Sequence, residues 1–219
     1  PDGSEAEMCG NGIRCFAKYL YDQGITRRTD MTVETAAGIK RLEIEVHHGH
    51  AERVTVDMGA PVFEPASIPV DTDRPAAIDL PLMVDGRALS LTAVSMGNPH
   101  AVHFLDEAVS AFPLERIGPL VERDPLFPRR VNFEIARIRG SSEVDVRVWE
   151  RGAGLTLACG TGACAVFAAA RRKGLVENRA CLHLPGGDLD LREGPNGHIL
   201  MAGPAVLVFT GDWPEAADA

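Results

Sequence analysis

Apolar residues along this chain recur with two periods, that of a helix and that of a strand. Ile13, Phe16, Ala17 and Leu20 follow helical spacing and predict a helix over about 13–23, with Gly24 as its stop. Met31-Thr32-Val33-Glu34-Thr35 alternates as a short strand. Leu42, Ile44 and Val46, with Glu43 and Glu45 between them, predict a half-buried strand. A turn around Gly49 follows, and residues 54–58 return as the hairpin partner. Residues 59–79 are rich in Pro and Asp and carry little pattern. Residues 89–94 and 101–104 read as strands flanking the loop Ser95–His100. Leu114, Ile117, Leu120 and Val121 predict a short helix. Residues 131–138 and 144–149 alternate as strands, with Val144, Val146 and Val148 on one face. A second long helix is predicted over 163–172, with Gly174 just past its end. Short strand patterns fill the remainder and end with residues 205–209.

One stretch occurs twice. Cys9-Gly10-Asn11-Gly12 precedes the first long helix, and Cys159-Gly160-Thr161-Gly162 precedes the second. A repeat of this kind predicts two half-molecules, each presenting a cysteine at a helix N-terminus. Strand runs with one long helix in each half predict an α+β fold. The expected arrangement is two pseudo-symmetric half-domains, each a mostly antiparallel sheet wrapped around a central helix. The expected division is 1–60 plus 205–219 for the N-terminal half-domain and 61–204 for the C-terminal one.

Composition narrows the function. The net charge of −9 argues against nucleic-acid binding, which needs a basic face. No apolar run is long enough to span a bilayer as a helix. Five irregularly spaced cysteines do not suit a secreted disulfide framework, so a reducing, cytoplasmic setting is expected.

A helix N-terminus offers unpaired N–H groups and partial positive charge. It lowers the pKa of a cysteine placed there and seats a carboxylate. Two such sites facing each other suit the inversion of a stereocentre: one thiolate takes a proton from one face while a thiol returns one to the other. The paired N–H groups then stabilise charge building on the substrate α-carboxylate. The scheme needs no cofactor. Gly10-Asn11-Gly12 lacks the third glycine and the preceding strand of a phosphate-binding fingerprint. Cys15, Cys164 and Cys181 are expected in the core. His47, His48 and His50 read as a solvated turn, and no metal site is expected.

Residues 2–15, from Asp2-Gly3-Ser4-Glu5 through Met8-Cys9-Gly10-Asn11-Gly12-Ile13-Arg14-Cys15, resemble the first active-site motif of diaminopimelate epimerases. Trp149-Glu150-Arg151-Gly152-Ala153-Gly154, followed by Ala158-Cys159-Gly160-Thr161-Gly162-Ala163-Cys164, resembles the second. Met96-Gly97-Asn98-Pro99-His100 and Val131-Asn132 are similar to shorter motifs of the same family, and the order is kept throughout. The resemblance implies cofactor-independent interconversion of LL- and meso-diaminopimelate by Cys9 and Cys159. It implies that Gly10, Asn11, Gly160 and Thr161 bind the α-carboxylate and that Glu150 meets the α-ammonium. Asn98, Asn132 and Arg151 would hold the distal amino-acid end, and His100 and Glu150 would tune the cysteines. It further implies a homodimer. Leu155 stands where the family most often has Glu, and a further N-terminal strand region is expected ahead of Pro1, which has no Met before it.

Alternatives differ at identifiable residues. Proline racemase-like enzymes carry His where Asn11 stands, and phenazine-type isomerases do not use a cysteine pair. A redox or metal module would need Cys-x-x-Cys, which neither Cys9/Cys15 nor Cys159/Cys164 provides. A non-catalytic amino-acid-binding domain is the remaining reading.

Overall fold

The computed structural model describes residues 9–36 and 38–211. Helix α1 (Gly10–Asp22) leads into strands β1 (Asp30–Thr35), β2 (Gly38–His47) and β3 (His50–Asp57). After an irregular stretch come β4 (Leu80–Val84), β5 (Arg87–Ser95), β6 (Pro99–Phe104) and the short helix α2 (Leu114–Glu122). Strands β7 (Asn132–Gly140), β8 (Glu143–Glu150) and β9 (Gly154–Thr156) lead to helix α3 (Gly160–Arg172). The chain continues through β10 (Arg179–Leu184), β11 (Gly187–Glu193) and β12 (Ile199–Pro204).

The strands form one sheet in the order β1-β2-β3-β12-β11-β10-β8-β7-β6-β5-β4, with β9 alongside β8. Pairing is antiparallel except for β6 with β7 and β8 with β10. The fold is α+β, a large and mainly antiparallel sheet with few helices. Hairpin register follows the alternation in the sequence: Leu42 lies opposite Val56 and Ile44 opposite Val54, all four buried. The division expected near residues 60 and 205 falls between β3 and β4 and just after β12.

Helix α3 is apolar nearly all round, as a buried helix must be. Gly, Ala, Thr and Cys on its surface let strands β5 to β8 and β10 to β12 approach, and residues 160–170 are all buried. Helix α1 buries only the stripe Gly10, Ile13, Arg14 and Ala17. That i, i+3, i+4, i+7 stripe rests on β3, leaving Cys15 and Phe16 on the exposed side. The expectation of a core Cys15 is therefore corrected, and so is that of a core Cys181, which is half-buried on the outward face of β10; Cys164 is buried.

Two further expectations change. Residues 205–209 do not form the last strand. The last strand is β12, between β3 and β11, and Pro204 at its end has no N–H to extend the ladder. Val206, Leu207, Val208 and Phe209 are exposed. Conversely, β4 carries no clear sequence signal, because it is short and holds Pro81. It lies at the edge of the sheet, where a proline is tolerated.

Candidate active site

The two Cys-Gly-x-Gly stretches both fold as a helix start. Cys9 is the N-cap of α1 and Cys159 the N-cap of α3, each with extended backbone angles (φ −124° and ψ 103°; φ −129° and ψ 113°). Their first turns meet. A Cβ added to Gly160 would stand 3.2 Å from Gly10 Cα, and one added to Gly10 would stand 3.3 Å from Gly160 Cα. Met201, on β12, closes the space beneath, with its sulfur 3.2 Å from the same Cβ position on Gly160. Two sets of unsatisfied helix N–H groups are thus drawn to one place.

The two thiols differ. Cys9 is exposed, and its Sγ accepts a hydrogen bond from the Gly12 N–H at 3.3 Å. Cys159 is buried, with its Sγ 3.4 Å from the Thr161 hydroxyl. Burial pushes the Cys159 pKa far up, and the Glu150 and Glu134 carboxylates push it further. The Thr161 hydroxyl and the Gly162 N–H pull it only partly back. The expected lowering at a helix N-terminus is therefore overturned for Cys159: removal from water outweighs a half-charge of dipole.

Asn98, in the β5–β6 loop, reaches α3 by donating from Nδ2 to the Thr161 hydroxyl at 3.4 Å. Its Oδ1 is 2.9 Å from His100 Nε2. His100 on β6 is fully buried and does not touch either cysteine by hydrogen bond; its Nδ1 is 2.7 Å from Glu134 Oε1. Asn132, the first residue of β7, donates from Nδ2 to Pro99 O at 2.8 Å and accepts from the Arg151 N–H at 2.9 Å. Its amide thus ties β6 to the loop after β8. Glu150 ends β8 and accepts from the Thr156 hydroxyl at 2.5 Å. Arg151 follows it, with a guanidinium N–H donating to Arg129 O at 3.4 Å. Asn11, half-buried in the first turn of α1, accepts from Arg14 at 3.1 Å. His100, Asn98, Thr161 and Cys159 therefore form one connected set, and Asn132 links Arg151 to the same strand ends.

Three residues not anticipated from the pattern support this set. Glu134 is wholly buried on the face of β7 that meets α3; its neighbours Phe133 and Ile135 face the other core. A charged residue in a strand buried on both faces was the available signal. Burial raises the Glu134 pKa, His100 opposes this, and Oε2 has no hydrogen-bond partner. Glu134 Oε1 would lie 2.7 Å from a Cβ at position 162, which is why that turn of α3 takes glycine. Arg14 lies buried under α1, donating to Gly10 O at 3.1 Å and to Pro204 O at 3.4 Å. Glu122 accepts from Trp149 Nε1 at 2.8 Å and from the Gly152 N–H at 3.1 Å, holding the loop that carries Arg151.

Paired helix starts with cysteine caps stand in an α+β fold that solved racemase and epimerase structures share. A probable proline racemase from Agrobacterium radiobacter K84 superposes with a TM-score of 0.70 at 16% identity, over 93% of this chain and 67% of that one. A predicted epimerase from Pseudomonas aeruginosa superposes with a TM-score of 0.62 at 19% identity, over 94% of this chain and 77% of that one. At that identity the likeness is one of fold. Sequence is more specific: the profile described as diaminopimelate epimerase matches residues 1–64 and 92–208. The chain belongs to the diaminopimelate epimerase family. The protein named diaminopimelate epimerase from Acetivibrio thermocellus is 51% identical over 212 residues, 96% of this chain and 75% of that protein. The one from Desulfitobacterium hafniense is 48% identical over 210 residues, 96% of this chain and 74% of that protein.

Proposed function

We propose that the chain interconverts LL- and meso-diaminopimelate without a cofactor, with Cys9 and Cys159 exchanging the proton at the α-carbon. The observation carrying this reading is the contact between Gly10 and Gly160, which brings two cysteine-capped helix starts to one point. Bound between them, the substrate α-carboxylate would receive N–H groups from Gly10, Asn11, Gly160 and Thr161. Glu150 would meet the α-ammonium, and Asn98, Asn132 and Arg151 the distal end. Cys159, held as a thiol by burial, is the proton donor in the substrate-free protein. The exposed Cys9 takes the part of the base, removing the α-proton from the opposite face. After one turnover the roles are exchanged, and the reverse reaction starts from that state. His100, through Asn98 and Thr161, fixes the orientation of the Cys159 side. Both protons move between carbon and sulfur, so the scheme requires no electron sink.

The substrate places the reaction in lysine and peptidoglycan biosynthesis, a cytoplasmic setting. Two half-domains divided as 1–60 plus 205–219 and 61–204, in a homodimer, complete the reading. Incubation with LL-diaminopimelate in heavy water under reducing conditions tests it. Meso product carrying α-deuterium, lost in both Cys9→Ala and Cys159→Ala, is the expected result. Exchange on proline instead would move the substrate assignment. Exchange that survives either substitution would remove that thiol from the mechanism.

A further inference from the structure

On the face of β10 turned away from α3, sulfur, imidazole and carboxylate groups stand side by side. Ala180, Leu182 and Leu184 point into the core with α3, so Cys181 and His183 point out, two residues apart. In the antiparallel partner β11, Asp188 lies opposite His183 and Asp190 opposite Cys181. On the other side, β8 places Glu143 beside Cys181. The Cys181 sulfur, a His183 ring nitrogen and an Asp188 oxygen lie within 4.8 Å of one another. His183 Nδ1 is 2.8 Å from Asp188 Oδ1, and its Nε2 hydrogen-bonds Glu143. Asp190 is engaged by Arg53 and also hydrogen-bonds the Cys181 thiol, a contact the ion would displace. Two carboxylates therefore share one imidazole beside a free thiol.

We infer that this is a binding site for a divalent transition-metal ion of the zinc type, with Cys181, His183 Nδ1 and Asp188 as ligands. Thiolate, imidazole and carboxylate together form the donor set of zinc(II), whereas calcium and magnesium take oxygen. Glu143 keeps the opposite ring N–H, the carboxylate–histidine arrangement that orients metal-bound imidazoles. On binding, the Cys181 thiol proton, and any proton on Nδ1, pass to solvent. One thiolate and one carboxylate then balance the two charges of the ion. Three protein ligands leave a fourth position to water. Adjacent strands already hold the ligands, so the ion needs side-chain rotation only.

Titration of the protein with cobalt(II) under anaerobic conditions, followed by absorbance, tests the site. One equivalent should bind with a sulfur-to-cobalt band in the near ultraviolet, and zinc should displace it. Cys181→Ser should abolish the band, and Asp188→Asn, at an exposed hairpin position, should weaken binding without unfolding. Glu143→Gln should weaken it by about 10- to 100-fold. The Cys9→Ser/Cys159→Ser double variant should bind as the parent does. A band that survives Cys181→Ser, or that vanishes with the double variant, would assign the ion to the other thiols and overturn the inference. Absence of cobalt binding at micromolar protein would overturn it as well.

Discussion

Gly10 and Gly160 touch backbone to backbone: a single methyl group on Gly160 would stand 3.2 Å from Gly10 Cα. Everything proposed for the site depends on that approach, because it sets the separation of the two N-cap cysteines. In Gly160→Ala the Met201 side chain can shift, but the first turn of α1 cannot yield without moving Cys9. Overpacking of this kind costs about 1–3 kcal/mol of stability. A displacement near 1 Å lowers turnover by about 100-fold. Denaturant unfolding and initial rates on LL-diaminopimelate measure the two effects. Full activity in a folded Gly160→Ala protein would show that the approach is not needed.

Glu134 Oε1 is 2.7 Å from His100 Nδ1, which places it to act through that imidazole. Glu134→Gln keeps the volume but removes the carboxylate that holds His100 Nδ1. The Gln amide oxygen can still accept from His100, so what is lost is the charge, about 1 kcal/mol as the difference between a charged and a neutral hydrogen bond, equivalent to roughly 5-fold in rate if it is expressed in the transition state. The expected loss is in kcat with KM little changed, together with a displaced pH profile. A purely structural role would lower the unfolding free energy and leave the pH profile of the folded fraction as it was.

Alkaline pH should destabilise the fold through two buried thiols. Burial raises the pKa of Cys159 far above the usual value of 9.0 and that of Cys164 to about 12. Above about pH 9 the unfolded chain loses these protons while the folded chain retains them. Their stabilising contribution is complete below that pH and declines as pH rises, by about 1.4 kcal/mol per unit for each group. Cys164→Ala should remove about half of this part of the slope. Chemical denaturation between pH 8 and 10.5 reads it directly; a slope unchanged by Cys164→Ala would contradict the assignment.

Alkylation should separate the cysteines by exposure. Cys9 and Cys15 are exposed, while Cys159 and Cys164 are buried. Iodoacetamide should label the first two before the second two, as read by peptide mass mapping. Labelling of Cys9 should abolish turnover, and Cys15→Ser should leave it unchanged. Oxidation should couple Cys9 to Cys159 in an inactive, reducible form. Finding only other pairings would contradict facing thiols.

Local features of the chain determined much of this protein. Helical and strand periods were legible at α1, the β2–β3 hairpin and β8, because each pattern is complete within ten or so residues. Both Cys-Gly-x-Gly stretches declared themselves as helix starts, since a cap and its glycines act on their own first turn. The order of motifs identified the family. Tertiary structure decided the rest. Cys15 and Phe16 look apolar enough to be buried, yet the stripe resting on β3 excludes them. Residues 205–209 read as a strand, but a strand requires a paired neighbour, and β12 is the one that lies between β3 and β11. The His100–Glu134 contact joins β6 to β7 across a parallel pairing that no local pattern specifies. The Cys159 pKa rises rather than falls, because desolvation depends on what packs around the thiol and not on the helix that carries it.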